Sequence, residues 1–207
     1  MKKYILLILI SVSFSAQTAI NRDSEISNYV SLVNSDSLKS NVEKLVSFGT
    51  RQTLSSTSDK KRGIGAARNW VLNQFKNYAK NSDGRMSVEL QNEDLQPDGK
   101  RINQVTNLGN PTAILKGTNP NDTRIFIISE HLDSRVTDIF NFKSDAPGAN
   151  DDASGVAAVL ECARILSKSN FPSTVIFVAV SGEEQGLLGS KMLAERAVKE
   201  KWNVLQC

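Results

Sequence analysis

Residues 146–155 read Ala-Pro-Gly-Ala-Asn-Asp-Asp-Ala-Ser-Gly, and the chain is organised around this stretch. It places two adjacent carboxylates, Asp151 and Asp152, between a Pro-Gly turn and a run with helical spacing. Adjacent acids repel each other and resist burial unless a cation offsets their charge. We therefore expect the pair to lie at the start of a helix, where a cation can reach both side chains.

The stretch connects two apolar runs that predict buried parallel strands. Arg124–Ser129 contains the continuous apolar run Ile125–Ile128, and Thr174–Val180 is apolar almost throughout. Between them, Ala153–Ser167 places its apolar side chains at the spacing of one helix face. A strand, a helix and a second strand predict a βαβ unit within an α/β fold.

The other elements are predicted from apolar spacing and from turn residues. Helices are predicted at Asn21–Ser35, at Leu38–Val46 with Ser37 as its cap, at Arg62–Ala79 and at Ser190–Lys201; short strands are predicted at Met86–Leu90 and Thr112–Leu115; and polar loops are predicted at Thr50–Lys61 and Asp94–Asn107.

The chemistry-bearing residues follow the two predicted parallel strands, whose carboxyl ends share one edge of the sheet. His, Asp and Glu suit zinc, and Asp151 can bridge two ions because each of its oxygens can bind one. His131 would bind one ion and Glu184 the other. Asp133 is placed to accept the second ring N–H of His131, and Glu183 is then free to act as a general base.

Each acidic stretch also has a structural interpretation. A single histidine at a strand end is often structural, an Asp pair often caps a helix, and a Glu pair before glycines is often solvated. These interpretations are weaker when they are taken together, because all the side chains fall at one edge of one βαβ unit.

Three motifs resemble the M28 family of zinc aminopeptidases in their order and spacing. They are His-Leu-Asp-Ser at 131–134, the stretch 146–155, and Ser-Gly-Glu-Glu-Gln-Gly-Leu-Leu-Gly-Ser at 181–190; a weaker likeness reaches back to Phe48–Arg51. The resemblance implies an α/β fold, a three-layer α/β/α sandwich around a mixed, mostly parallel sheet, which would be incomplete at its C-terminal end.

The resemblance also implies roles for the same side chains. His131, Asp151 and Glu184 would be ligands of two Zn²⁺ ions, with Asp151 bridging them. Glu183 would be the general base, and Asp133 the acid that orients His131. The substrates would be peptides with a free N-terminus, and the peptide bond between Asp151 and Asp152 would be cis.

The most serious departure of the chain from the family pattern is a missing set of ligands. The family uses two further ligands, an Asp soon after the last helix and a His far downstream, whereas His131 is the single histidine of this chain. Each zinc would keep two protein ligands, although catalytic zinc normally has three. We therefore interpret residues 17–207 as the N-terminal part of an M28-like peptidase domain that is inactive alone, and expect the strand beside Thr174–Val180 to lie beyond Cys207.

The N-terminus and the charge bear on location and partners. Met1–Ala16 has the charged start, short apolar core and small residues of a secretory signal peptide, which predicts an exported protein, periplasmic or extracellular. After its removal we expect no stable membrane association.

The formal charge of +3 falls to about +1 without Lys2 and Lys3, since 23 basic residues then face 22 acidic ones. No basic run is interleaved with aromatics, so nucleic acid is not expected as a partner.

Three functions remain open at this point: a zinc aminopeptidase, a non-catalytic binding domain of the same fold, and a glutaminyl-cyclase-like zinc aminoacyltransferase. The intact acids favour an enzyme over a binding domain. Hydrolysis of an amino-acid nitroanilide, against cyclisation of a peptide with N-terminal Gln, would separate the first function from the third.

Overall fold

The computed structural model describes residues 23–205, so the predicted signal peptide at 1–16 lies outside the described residues. The helices are α1 Ser24–Ser31, α2 Ser35–Val46, α3 Gly63–Ala79, α4 Ser154–Leu166 and α5 Leu188–Lys199; a turn at Ala149–Ala153, with non-helical backbone at Asp151 and Asp152, leads into α4. The strands are β1 Met86–Leu95, β2 Thr106–Leu115, β3 Arg124–His131, β4 Thr174–Val180 and β5 Asn203–Val204. Within the described part of the chain, no helix has the length and hydropathy needed to cross a bilayer.

The five strands form one mixed sheet in the order β1-β2-β4-β3-β5. β3 and β4 run parallel from the pair Ile125–Thr174 to the pair His131–Val180, which confirms the predicted βαβ unit. β5 also runs parallel to β3, whereas β1 with β2 and β2 with β4 are antiparallel. The sheet of the described residues is therefore evenly mixed rather than mostly parallel.

Helices cover both faces of the sheet, so the predicted three-layer sandwich is confirmed. On one face, α2, α3 and α4 enclose the main core together with alternate residues of β4; its large, fully buried members include Leu45, Ile64, Phe75, Leu160 and Phe177. On the other face, Val178 and Val180 of β4 pack with Leu193 of α5. β4 is buried on both faces because its side chains alternate between these two layers.

Three predicted features differ from the structure. β1 and β2 form a ten-pair antiparallel hairpin that reaches into the predicted loop at 94–107, because ladder hydrogen bonds satisfy the backbone even where the side chains are polar. Asn34, and not Ser37, caps α2, since its Oδ1 accepts from the Ser37 N–H at 2.8 Å. β4 lies between β2 and β3, so no vacant strand position adjoins it; the partly open side belongs to β3, which β5 covers only at Arg124 and Ile125.

Candidate metal centre

The parallel pairing of β3 and β4 places the predicted site residues at one edge of the sheet. His131 is the last residue of β3 and lies opposite Val180, the last residue of β4. The Leu132 N–H extends this contact by donating to the Val180 carbonyl at 2.7 Å. Glu183 and Glu184 follow β4 after only two residues, so they reach the same edge as His131.

The imidazole of His131 lies between the other two acidic segments. Its Nε2 is 2.9 Å from Oδ1 of Asp151. Its Nδ1 lies 3.1 Å from the backbone carbonyl of Asp133 and 3.7 Å from the carboxylate of that residue. The partner that orients the ring is therefore the Asp133 carbonyl. An N–H at Nδ1 donates to it and directs Nε2 towards Asp151.

The carboxylate of Asp133 binds backbone N–H groups and not the ring N–H of His131 that the sequence predicted. It is fully buried and accepts from the backbone N–H groups of Glu183 and Glu184, each at 3.1 Å. The Thr53 hydroxyl donates to it at 2.9 Å. Asp133 thus fixes both the imidazole, through its carbonyl, and the turn that carries the two glutamates, through its carboxylate.

The Asp151–Asp152 segment forms the mouth of α4. The peptide bond between the two residues is cis, as the resemblance implies. The Asp151 side chain is 74% exposed, so the predicted bridging carboxylate projects into solvent beside His131. The Asp152 carboxylate turns inward, accepting from the His131 N–H at 3.2 Å and from the Gly155 N–H at 2.8 Å. It thereby joins the first turn of α4 to the end of β3.

Glu184 is held by two arginines that the sequence interpretation did not assign. Nε of Arg135 donates to Oε2 of Glu184 at 2.5 Å, and Nη1 of Arg101 donates to its backbone carbonyl at 3.0 Å. The Glu184 side chain is only 14% exposed. Arg135 follows the His131 motif directly, so a basic residue beside an acidic cluster was the available signal. Arg101 carries no such signal, because the fold alone brings it close.

The acidic surroundings change the protonation of His131. Burial alone would lower the pKa of the imidazole, but the neighbouring Asp133 carboxylate, with the further charges of Asp152 and Glu183, outweighs it and raises the pKa to about 9. At neutral pH the ring of the metal-free site is therefore an imidazolium. Its proton supplies positive charge at the position where the donor atoms of His131 and Asp151 meet.

The donor types at this edge fit zinc, since one imidazole and two carboxylates are ligands that zinc accepts. The donor number is smaller than a complete site requires. Within residues 23–205, no three His, Cys, Asp or Glu side chains are grouped so that they could hold an ion. The His131–Asp151 pair is formed, while the Glu184 carboxylate is engaged by Arg135.

Known protein families and curated proteins include clear relatives of the chain. The family model described as peptidase family M28 matches residues 110–205. A protein of Pyrenophora tritici-repentis named "Probable zinc metalloprotease" is 45% identical over 183 residues, covering 88% of this chain and 37% of that protein. One of the same name from Pyricularia oryzae is 49% identical over 154 residues, covering 74% of this chain and 30% of that protein.

Solved structures agree on the fold. The LapA aminopeptidase of Legionella pneumophila superposes with a TM-score of 0.64 at 19% identity, covering 98% of this chain and 49% of that one. The glutaminyl cyclase of Fimbriiglobus ruber gives a TM-score of 0.63 at 20% identity, with coverages of 81% and 56%. The chain spans less than half of the length of the curated relatives described above. The matched family model and the similar curated proteins assign residues 110–205 of the chain to peptidase family M28.

Proposed function

We propose that this chain supplies part of the active site of an exported zinc aminopeptidase, which removes N-terminal residues from peptides. The main support for the proposal is the contact between His131 Nε2 and Asp151 Oδ1, which are 2.9 Å apart. This contact lies at the edge of the sheet where Glu183 and Glu184 follow β4. The names of the curated relatives support zinc as the metal. The aminopeptidase assignment follows from the three motifs and goes beyond those names.

Three side chains of this chain would hold the metal: His131, Asp151 and Glu184. When bound, zinc would supply Lewis-acid chemistry that polarises the scissile carbonyl. Glu183 would accept the proton of the attacking water and transfer it to the leaving amine as the C–N bond breaks. The hydrogen bond from the Glu183 N–H to Asp133 holds the backbone of this base in place.

The proposal is tested by substrate choice with the full product of the gene. We expect it to hydrolyse leucine nitroanilide, to lose this activity in a chelator and to regain it with zinc. N-acetyl-leucine nitroanilide is the matched control, because it lacks the free amine and should not react. Cyclisation of a peptide with N-terminal Gln, without hydrolysis of either nitroanilide, would assign the protein to the cyclase function. Zinc binding with no turnover of any of these substrates would favour the non-catalytic domain.

Export is the second part of the proposal, and it rests on the signal-like residues 1–16. We expect the mature protein to begin near Gln17 and to be found in the periplasm or the medium, free of stable membrane association. N-terminal sequencing of the fractionated protein checks this. A product that remains in the cytoplasm with Met1 or Lys2 at its N-terminus would contradict it.

A further inference from the structure

We infer that Arg51 is a positioning residue of the candidate metal centre: its buried guanidinium ties the segment of His131 and Asp133 to the segment of Asp151 and Asp152. The expected effect of Arg51 on zinc affinity rests on the proposed zinc site. Its expected effect on the two segments does not depend on zinc. Arg51 lies in the predicted polar loop at 50–61, at the end of the weaker family likeness, and the sequence predicted no role for it. The structure buries its first part, and Arg51 is 1% exposed.

The side chain of Arg51 donates to backbone carbonyls of three separate segments. Nε donates at 2.8 Å to Leu132, the residue between His131 and Asp133. Nη1 donates at 2.7 Å to Pro147 and at 3.2 Å to Leu45, at the end of α2. Nη2 donates at 2.9 Å to Gly148, immediately before the turn that carries Asp151. One planar group thus fixes the spacing between both halves of the site.

The backbone around Arg51 repeats this connection. The Arg51 N–H donates to the Ser134 hydroxyl at 3.1 Å, and that hydroxyl donates to the Ala146 carbonyl at 2.7 Å. The Ala146 N–H in turn donates to the Gly49 carbonyl at 2.8 Å. The three segments are therefore joined at several points, and the guanidinium lies where they meet.

The chemistry of the group explains why an arginine fits here. Among residues 23–205, the Arg51 side chain donates its hydrogen bonds only to backbone carbonyls. No carboxylate in this range therefore neutralises the guanidinium by direct contact. Burial lowers the pKa of Arg51 to about 10, although the charges of Asp133, Asp152 and Asp151 act against this shift. A lysine keeps the charge but lacks the rigid fork of donors that reaches several carbonyls at once.

Arg68 of α3 provides a matched control. It is also buried, at 3% exposed, and burial also lowers its pKa to about 10. Its side chain donates to the carbonyl and side-chain oxygens of Asn107 in β2, and within residues 23–205 it makes no hydrogen bond to the site segments. Replacing either arginine removes a buried guanidinium and destabilises the fold. Only the replacement of Arg51 should loosen the metal centre.

The experiment uses the full gene product and compares wild type, Arg51→Lys, Arg51→Met and Arg68→Met. The first readout is hydrogen exchange at the amides of His131, Ala146 and Ala153, relative to amides of β4 in the same protein. In both Arg51 variants we expect exchange at the site amides to rise at least about tenfold more than in β4. In Arg68→Met the ratio should match wild type. Arg51→Lys decides the matter if Arg51→Met does not fold.

The second readout is the dissociation constant for zinc alone, measured by calorimetry. Loss of a residue that orients metal ligands typically weakens metal binding about 10- to 100-fold. We expect a loss of this size in the Arg51 variants and less than a twofold change in Arg68→Met. An even rise of exchange over the whole fold, or equal zinc affinities in the Arg51 and Arg68 variants, would overturn the inference. Failure of the wild type to bind zinc would contradict the proposed zinc site, and the exchange ratios would still decide the role of Arg51.

Discussion

At the scale of single residues, the two adjacent glutamates have clearly different surroundings. The Glu184 carboxylate is clamped by Arg135, whereas Glu183 contributes negative charge to the environment of His131. The backbone N–H groups of both glutamates donate to the carboxylate of Asp133, which therefore holds the backbone from which both side chains project. This arrangement agrees with the proposed division of labour between a base and a ligand.

The division is tested by exchanging each glutamate for its amide in the full gene product. Glu183→Gln should lower kcat by about two to four decades, as expected for removal of a general base, and keep the zinc content of wild type. Glu184→Gln should lose zinc as well as activity. Metal analysis and kcat are measured on the same preparations. Loss of zinc in Glu183→Gln with retention in Glu184→Gln would reverse the two assignments.

The raised pKa of His131 predicts how the stability of the metal-free chain changes with pH. The pKa of the ring rises from its ordinary value of 6.5 to about 9 in the folded chain, so the folded state binds the proton more tightly than the unfolded state. The resulting contribution to the free energy of unfolding is complete below the unfolded pKa. It is lost as the pH rises through the folded pKa.

Urea unfolding in the presence of a chelator measures this effect. Wild type should lose stability between pH 6.5 and 9, and His131→Gln should lose less over the same interval, since the variant lacks the titrating ring. Equal losses in the two proteins would show that other groups cause the dependence and would contradict the assigned proton.

At the scale of elements, the mouth of α4 depends on a close approach between a glycine and a carboxylate. A Cβ added to Gly155 would lie 2.4 Å from Oδ1 of Asp152, the atom that accepts from the Gly155 N–H. The same carboxylate binds the His131 N–H at the end of β3. A side chain at 155 would therefore displace the link between helix and strand.

Gly155→Ala tests this link, because helix propensity and packing predict opposite signs. Propensity alone favours alanine by about 1 kcal/mol, whereas displacement of the Asp152 carboxylate should make the variant less stable than wild type. In an Asp152→Ala background the obstacle is gone, so the same change should cost less or should stabilise. The free energies of unfolding of the four proteins give the coupling directly. Additive effects would mean that the two residues do not interact.

The sequence identified the elements whose patterns are strong and local. The continuous apolar runs of β3 and β4 and the helical spacing of α3 and α4 were predicted close to their observed bounds. β1 and β2 were predicted too short, because Asn110 and Pro111 interrupt the pattern of β2. Asn110 is nevertheless buried in the strand, where its side chain donates to Gly189 and accepts from the Ser181 N–H. Such tertiary partners have no local sequence signal.

The site was also predictable where its signals are local and not where they depend on tertiary contacts. From parallel strands that end beside acidic motifs, the sequence predicted that His131, Asp151 and the Glu pair lie together. The orientation of Asp133 was not predictable, because its carbonyl and its carboxylate compete for the same ring. Arg51 and Arg135 were not assigned, since each acts through contacts that form only when distant segments pack.

At the scale of the whole molecule, most of the outer side of β3 has no strand partner in the described part of the chain. Among residues 23–205, β5 pairs only with Arg124 and Ile125, so the outward backbone groups of the following residues have no strand partner. Apolar grooves flank this edge on both faces, one beside Ile127 and α5 and one beside Phe126 and Phe171. Unpaired edges with apolar faces favour association with another chain.

We therefore expect the polypeptide 17–207 to be insoluble or oligomeric. A lysine on an edge strand opposes strand pairing, so Ser129→Lys in β3 should shift the population towards the monomer. Val105→Lys is the matched control, since it adds the same charge at an exposed position away from the edge. Size exclusion and sedimentation measure the effect. A monomeric wild type, or equal dissociation in both variants, would contradict this account.

The same polypeptide should bind zinc weakly, because its described residues offer no group of three metal-binding side chains. We expect it to show no hydrolysis of leucine nitroanilide during a zinc titration. Tight binding of two zinc ions together with turnover would contradict the donor set assigned above.

The central claim, that His131, Asp151 and Glu184 bind zinc at the carboxyl edge of β3 and β4, is tested most directly by anomalous diffraction. Crystals of the full gene product with zinc are measured above and below the zinc absorption edge. We predict an anomalous peak about 2.0–2.2 Å from His131 Nε2 and an Asp151 oxygen, and a second at a like distance from Glu184 and Asp151. Peaks absent from this edge of the sheet, or bound by Glu183 in place of Glu184, would contradict it.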